Sequence, residues 1–155
     1  MGSNIGNKAE NCRKGIEAID GIEGCTVETQ SPLYETEPVY LEDQDWFVNG
    51  VAKIGTDFAS KMLFERLKNI EQSMGRQPEG VRFGPRALDL DILFYDDIVL
   101  RGGLIEIPHP KLHERRFVLR PLCDVAPDLI HPVLGKSIRS LLSRLQDGGK
   151  RVTML

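Results

Sequence analysis

The stretch FGPRALDLDILFY, from Phe83 to Tyr95, decides how the rest of the chain is interpreted. Within it, apolar residues alternate with two aspartates, Asp89 and Asp91. Alternate residues of a β-strand face opposite sides of a sheet. The pattern therefore predicts a strand over Leu88–Phe94 whose apolar face packs on helices. Its other face would carry both carboxylates side by side, with their Cβ atoms about 7 Å apart.

The segments on either side predict a mixture of helices and strands. Apolar residues at helical spacing predict helices over Asn7–Ile19, Ala59–Met74 and Lys136–Leu145. Segments rich in β-forming residues predict strands over Cys25–Ser31, Phe47–Ile54 and Ile98–Arg101. Residues 32–45 and 76–86 contain prolines and predict loops, and a short ordered segment is expected around Val118–Leu122. We therefore expect one α+β domain over residues 1–155, with helices packed on a mainly antiparallel sheet.

Composition narrows the class of protein. The chain has 155 residues, 41% of them hydrophobic, and a net charge of −3, which suits one globular domain and gives no sign of nucleic-acid binding. It contains no apolar run long enough to span a membrane and opens with no signal-peptide pattern. Its three cysteines are widely spaced and odd in number, so we expect buried or half-buried thiols in a cytoplasmic protein.

Two carboxylates on one face of a strand repel each other unless a cation lies between them. Mg²⁺ is a natural candidate because it binds carboxylate oxygens together with substrate phosphates. Arginines, which grip phosphates with two parallel hydrogen bonds, flank the pair on both sides. They are Arg76, Arg82 and Arg86 before it and Arg115, Arg116 and Arg120 after it. This combination indicates phosphoryl transfer. The alternative is a solvated acidic face with arginines in surface salt bridges.

Two further motifs suggest other kinds of site. Gly135-Lys136-Ser137 suggests a phosphate-binding loop, but the earlier glycine that such a loop needs is replaced by Ile130. We therefore predict that this tripeptide begins a helix. His109 and His113 are four residues apart, but they follow a Pro-His-Pro sequence that would not form one helical face, so the pair does not predict zinc.

Several blocks of the sequence occur in an order that belongs to a known family. They are GSNIG, FVNGVAKI, IEQSMGR, RFGPRALDLDILFY, IPHP and ERRFVLRPLCDVAPDLIHP. Over nearly its whole length the chain resembles the 6-hydroxymethyl-7,8-dihydropterin pyrophosphokinases of folate biosynthesis. The resemblance implies a ferredoxin-like fold and Mg²⁺-dependent transfer of pyrophosphate from ATP to the pterin hydroxymethyl group, which leaves AMP. ATP and the pterin would be its partners, with other folate-pathway enzymes as further candidates.

The resemblance also implies roles for individual residues. Asp89 and Asp91 would hold two Mg²⁺ ions, and Arg76 and Arg86 would act on the ATP phosphates as catalytic residues. Further nucleotide contacts would come from Glu71, Ile92, His109 and Arg115. The pterin ring would lie between Phe47 and Phe117, with Asn49 at its edge and Thr36 and Val39 covering it. Without the resemblance, Phe47 and Phe117 would be interpreted as ordinary core residues and Asn49 as a polar residue at a strand edge.

The sequence departs from the family at its start. Family members normally carry a strand before Gly-Ser-Asn, whereas only Met1 precedes Gly2 here. We therefore expect the first family strand to be missing, which would leave a gap in the sheet with exposed edges.

Two other functions remain open. A nucleotidyltransferase also combines Gly-Ser with Asp-x-Asp and Mg²⁺, although Gly2-Ser3 lies unusually far from Asp89 for that class. A non-catalytic ferredoxin-like binding module is the second alternative, but it would leave the arginines unexplained.

Overall fold

The structure is a computed structural model and describes residues 1–39, 43–75 and 85–155. Its strands are β1 (Gly2–Ser3), β2 (Cys25–Gln30), β3 (Tyr34–Thr36), β4 (Phe47–Asn49), β5 (Ala52–Thr56) and β6 (Val152–Met154). Its helices are α1 (Lys8–Asp20), α2 (Ser60–Ser73), α3 (Arg116–Val125) and α4 (Ile138–Arg144), with a 3₁₀ turn at Leu112–Glu114. The predicted α+β class is confirmed. Within these ranges, no helix combines the length and apolarity needed to cross a bilayer.

The strands form two antiparallel sheets, in the order β1-β4-β3-β6 and as the pair β2-β5. The two sheets are the halves of one long bent hairpin, in which β2 leads into β3 and β4 leads into β5. At the bend, the Ser31 amide donates to the Val51 carbonyl at 2.8 Å and the Val51 amide donates to Ser31 Oγ at 3.0 Å. The bend carries β3 and β4 towards β1, where the candidate site lies.

Two predictions about this hairpin are wrong. Phe47–Ile54 was expected as one strand, but β4 and β5 belong to different sheets because the chain bends at Gly50 and Val51 between them. Tyr34–Thr36 was expected in a loop, but it is a strand that pairs with β4 on one side and β6 on the other. Both errors concern pairing between distant segments, which local sequence patterns do not specify.

The strands predicted after the first two helices are also corrected. Leu88–Phe94 is not a regular strand, and its backbone joins β1 only where Gly2 and Asp89 exchange two hydrogen bonds. Beyond that point a cleft of about 530 Å³ separates Leu90–Asp96 from β5. Ile98–Arg101 contains a single bridge, between Leu100 and Ile107. The ferredoxin-like assignment and the missing first strand stay predictions.

The three predicted helices are confirmed within two residues at each end. Asn7 caps α1 by accepting the Glu10 amide at 3.2 Å, as its side chain predicts. Helix α2 ends before Gly75, whose φ of 95° is a conformation that glycine adopts readily. Ser137 caps α4 by accepting the Ser140 amide, so Gly135-Lys136-Ser137 does begin a helix. The segment expected around Val118–Leu122 is the middle of α3.

Two apolar clusters support the site. The first packs α1 and α2 against Leu88 and Leu90, the neighbours of Asp89. The second joins Val51 to residues of α3, α4 and the 3₁₀ turn. The predicted state of the cysteines is confirmed, since Cys12 and Cys25 are buried and Cys123 is half-buried. The segment that carries the two aspartates is therefore fixed by the packing of its apolar residues, Leu88 and Leu90, in the first cluster.

His131, at the second cluster, predicts a stability that declines in mild acid. It is 5% exposed, and its Nδ1 accepts the amides of Val133 and Leu134 at 3.2 Å each. Burial lowers the pKa of His131 below its ordinary 6.5, and His113 nearby lowers it further. The unfolded chain therefore binds more protons below that pH, and the stabilisation present above pH 6.5 is lost as the pH falls.

We expect the melting temperature to fall between pH 6.5 and about pH 5, before most carboxylates protonate. His131→Leu should melt lower at neutral pH but show a shallower dependence on pH across this interval. Glu17→Gln, at an exposed carboxylate on α1, serves as a control that should leave the slope unchanged. An unchanged slope in His131→Leu would show that the titration of His131 is not linked to folding.

Candidate active site

The Asp-x-Asp segment presents its carboxylates on the face opposite the core. Leu88 and Leu90 are 0% and 3% exposed, whereas the side chains of Asp89 and Asp91 are 24% and 44% exposed. The Asp89 backbone is fixed to β1, because its amide donates to the Gly2 carbonyl at 2.8 Å and its carbonyl accepts the Gly2 amide at 2.9 Å. The predicted alternation is thus retained, although the segment is not a regular strand.

Each of the two carboxylates faces its own cation. Arg86 Nη1 lies 2.8 Å from Asp89 Oδ2, and Lys68 Nζ lies 3.7 Å from Asp91 Oδ1. The partly exposed oxygens of the pair are hard ligands of the kind that Mg²⁺ binds. In the part of the chain that the structure describes, no group of three His, Cys, Asp or Glu side chains could enclose a metal ion. The chemistry of the two carboxylates fits Mg²⁺, which is often held by one or two carboxylates together with substrate phosphates.

A buried ion pair on α2 fixes the residue between the two aspartates. Glu71 is 1% exposed, and its Oε1 accepts both the Leu90 amide and Lys68 Nζ at 2.6 Å. Lys68 Nζ also donates to the Leu90 carbonyl at 2.8 Å. The charge of the buried carboxylate is therefore compensated by a cation and an amide. Together the two side chains hold the backbone of Leu90 and so set where Asp89 and Asp91 point.

Sequence reasoning found this pair only in part. Glu71 was expected to contact the nucleotide, whereas its described partners are Lys68 and Leu90; the nucleotide contact stays a prediction. Lys68 was not among the predicted site residues. The available signal was its i, i+3 spacing from Glu71 on a helix, which places the two side chains on one face.

Arg86 is anchored through its backbone by Asn4, a residue that sequence reasoning also missed. The Asn4 amide donates to the Arg86 carbonyl at 3.1 Å, and Asn4 Oδ1 accepts the Arg86 amide at 2.8 Å. Asn4 is 2% exposed, so this anchor is shielded from water. Because its backbone is fixed, the side chain of Arg86 reaches Asp89 from a defined position. Arg76, the other predicted catalytic arginine, lies outside the described residues.

His109 lies within electrostatic range of Asp89, Asp91 and Arg115. Burial lowers the pKa of His109 below 6.5, and Arg115 adds to this, whereas Asp91 and Asp89 act in the opposite direction. His109 Nδ1 accepts the Lys111 amide at 3.2 Å, which leaves Nε2 to carry the proton of the neutral ring. Ile92, expected on the adenine side, packs against the first apolar cluster, and its contact with adenine stays a prediction.

Three of the predicted pterin-binding residues are brought together on β3 and β4. Thr36 is paired with Phe47, and Asn49 Nδ2 donates to Thr36 Oγ1 at 2.7 Å. Thr36 is 1% exposed and Asn49 is 9% exposed, so this hydrogen-bonded pair is shielded from solvent. Gly2 packs directly on Asn49: a Cβ atom at Gly2 would lie 2.5 Å from Asn49 Oδ1. The absence of a side chain at Gly2 is therefore what allows the amide to adopt this position.

The remaining pterin-binding predictions are placed but not tested. Phe117 is half-buried in the first turn of α3, a helix that lies against β3 and β4, and the Arg115 guanidinium is 5.6 Å from the centre of its ring. Phe47 is also half-buried, and Val39 is 38% exposed. Neither residue is fully buried, as an ordinary core residue would be.

Comparison with known proteins identifies the family of this chain. The model of the 7,8-dihydro-6-hydroxymethylpterin-pyrophosphokinase family matches residues 1–127. The chain is 37% identical over 149 residues to the 2-amino-4-hydroxy-6-hydroxymethyldihydropteridine pyrophosphokinase of Methylorubrum extorquens, covering 96% of this chain and 92% of that protein. It is 36% identical over 139 residues to the protein of the same name from Aquifex aeolicus, covering 90% and 85%. The chain belongs to the 7,8-dihydro-6-hydroxymethylpterin-pyrophosphokinase family.

Longer proteins are also similar to this chain. It is 44% identical over 152 residues to the folic acid synthesis protein fol1 of Schizosaccharomyces pombe. The aligned region covers 98% of this chain but only 21% of that protein. The chain thus spans about a fifth of the length of this relative and of the corresponding proteins of Dictyostelium discoideum and Pneumocystis carinii.

Proposed function

We propose that this chain transfers the pyrophosphoryl group of ATP to the hydroxymethyl group of 6-hydroxymethyl-7,8-dihydropterin, with AMP as the second product. The observation that carries the proposal is the pair of outward-facing carboxylates, Asp89 and Asp91, each beside its own cation. Membership of the pyrophosphokinase family and the names of the Methylorubrum and Aquifex relatives support the same reaction.

The nucleotide end of the site would act mainly by positioning and charge neutralisation. Two Mg²⁺ ions held by Asp89 and Asp91 would neutralise the phosphate oxygens and orient the attacking hydroxyl. Arg86, whose backbone is held by Asn4 and whose guanidinium pairs with Asp89, would exchange this carboxylate for a phosphate oxygen of ATP. His109 would donate from Nε2, and Arg115 would supply a further positive charge. Arg76 and Ile92 complete the proposed set.

The heterocycle would bind beside β3 and β4. Asn49 and Thr36 form a buried polar pair that can both donate to and accept from the edge of a pterin ring. Phe47 and Phe117 would stack on its two faces, an arrangement that favours a flat, electron-poor ring. Val39, which follows Thr36 closely in sequence, would cover the ring. A single domain with a ferredoxin-like fold would hold the nucleotide-binding and pterin-binding ends of the site at a fixed distance from each other.

Other enzymes of folate synthesis are proposed as partners. Several relatives are named as folic acid synthesis or bifunctional folate synthesis proteins and are much longer than this chain. The proposal is that this chain works next to such activities, whether on the same polypeptide or on another.

Product analysis with ATP, Mg²⁺ and 6-hydroxymethyl-7,8-dihydropterin tests the proposed reaction. We expect AMP and the pterin diphosphate in equal amounts, with no AMP when the pterin or Mg²⁺ is left out. Release of pyrophosphate with an adenylated acceptor would instead identify a nucleotidyltransferase. Binding of ATP without any product would identify a binding module and would contradict the proposal.

A further inference from the structure

One residue near the C-terminal end of the chain, Arg151, contacts both ends of the connection between β3 and β4 through its backbone and its side chain. The Arg151 amide donates to Glu37 Oε2 at 2.7 Å, and the Glu37 amide donates to the Arg151 carbonyl at 3.2 Å. The Arg151 guanidinium lies 3.5 Å from Glu37 Oε1 and 4.7 Å from the centre of the Trp46 ring. We call these three residues the Arg151 clasp.

The Trp46 end of the clasp is also contacted by residues at the start of the chain. Lys8 Nζ, at the start of α1, donates to the Trp46 carbonyl at 2.7 Å. Asn4 Nδ2, on the residue that anchors Arg86, donates to Gln44 Oε1 at 2.9 Å. Two separate parts of the fold therefore contact Trp46: the Arg151 guanidinium lies over its ring, and Lys8 binds its carbonyl oxygen.

The clasp directly adjoins the proposed pterin-binding residues. Glu37 follows Thr36, which accepts the Asn49 amide, and Trp46 precedes Phe47, which pairs with Thr36 across the two strands. Arg151 itself comes immediately before β6, the edge strand that pairs with β3. It also lies beyond residues 1–127, the part of the chain that the family model matches. The clasp is thus supplied by a C-terminal segment and acts at the base of the β3–β4 connection.

We infer that Arg151 is a positioning residue for the heterocycle pocket. By joining Glu37 to Trp46 it holds the ends of β3 and β4 in the geometry that presents Thr36, Asn49 and the ring of Phe47. A pocket ordered before its ligand arrives binds more tightly, because the entropic cost of ordering is not incurred at binding. Arg151 touches neither the Asp-x-Asp segment nor the nucleotide residues in the described contacts. The inference rests on the proposed function.

Steady-state kinetics distinguish positioning from catalysis. Arg151→Ala should raise the KM for the pterin by about three- to ten-fold, the range that loss of a guanidinium–tryptophan contact of roughly 1 kcal/mol allows. The KM for ATP and kcat should stay near their wild-type values. Arg139→Ala is the matched control, because Arg139 also forms an exposed ion pair, with Asp128, and lies away from the site. It should change none of these constants.

Fluorescence tests the clasp without requiring activity. Trp46 is the one tryptophan of the chain, so tryptophan emission, excited selectively over the three tyrosines, reports on this position alone. Acrylamide should quench Trp46 more strongly in Arg151→Ala than in the wild type or in Arg139→Ala. Glu37→Gln should change quenching in the same direction, and the double variant should show less than the sum of the two effects because both act through one contact.

The outcomes separate this inference from the proposed function. If the wild type forms no AMP, the proposed reaction is wrong, and quenching still reports whether Arg151 positions Trp46. If the wild type is active but Arg151→Ala keeps its KM for the pterin and its Trp46 quenching, the inference is wrong. A lower melting temperature with unchanged pterin KM would likewise overturn it, since Arg151 would then only stabilise the fold.

Discussion

Asp91→Ala is expected to lower kcat/KM at least about a thousand-fold, because neutralising the charge of transferring phosphates is worth several kcal/mol. The carboxylate of Asp91 is 44% exposed, and its ion pair with Lys68 is 3.7 Å long. Removing it should therefore alter the free energy of unfolding by no more than about 0.5 kcal/mol, as for other surface substitutions. The combination of lost turnover and retained stability is what a metal-binding role predicts.

Asp97→Ala provides the matched control for this experiment. Asp97 is an exposed aspartate in the turn that follows the same segment, so its removal also subtracts one negative charge nearby. It should leave turnover unchanged. A second measurement does not depend on activity: Mg²⁺ added with a nonhydrolysable ATP analogue should raise the melting temperature of the wild type but not of Asp91→Ala. Near-normal turnover in Asp91→Ala would remove the basis for the proposed metal site.

Arg86→Ala should slow the chemical step more than it weakens ATP binding. Loss of one preorganised donor to developing charge commonly lowers kcat by about 10²- to 10³-fold. The Asn4 contacts hold the backbone of Arg86 rather than its side chain, so the alanine variant should keep its local structure. We therefore expect a large fall in kcat with a change in the dissociation constant for ATP of less than about ten-fold.

Arg86→Lys separates charge from geometry in the same position. Lysine keeps a positive charge near Asp89 but cannot form the two parallel hydrogen bonds of a guanidinium, so its kcat should lie between those of the wild type and the alanine variant. Single-turnover rates and equilibrium binding of ATP give the two quantities separately. Equal losses in ATP affinity and in kcat/KM would mean that Arg86 contributes to ground-state binding and not to the transition state.

The helices and the face of the Asp-x-Asp segment could be predicted because both depend on local patterns. The apolar stripe of α2 and the cap of α1 at Asn7 are set by residues within a few positions of one another. The alternation of Leu88 and Leu90 with the aspartates likewise fixes which side chains are buried, whether or not the backbone is paired. The helix predicted to begin at Gly135-Lys136-Ser137 is also present, with Ser137 as its cap.

Contacts between distant segments could not be predicted in this way. Strand β3 exists because β4 and β6 lie on either side of it, and β6 comes from the other end of the chain. The hold of Lys68 and Glu71 on Leu90 depends on how α2 lies against a segment about twenty residues away. Arg151 meets Glu37 only after the whole fold has formed. Sequence patterns within a short window do not specify such contacts between distant residues.

The most direct test of the account is a crystal structure of this chain with Mg²⁺ and a nonhydrolysable ATP analogue. We expect cations bridging the phosphates and the carboxylates of Asp89 and Asp91, at the Mg²⁺–oxygen distance of about 2.1 Å. Lys68 and Glu71 should keep their hold on Leu90 in that complex. Density for the nucleotide with no cation within reach of either aspartate would contradict the account.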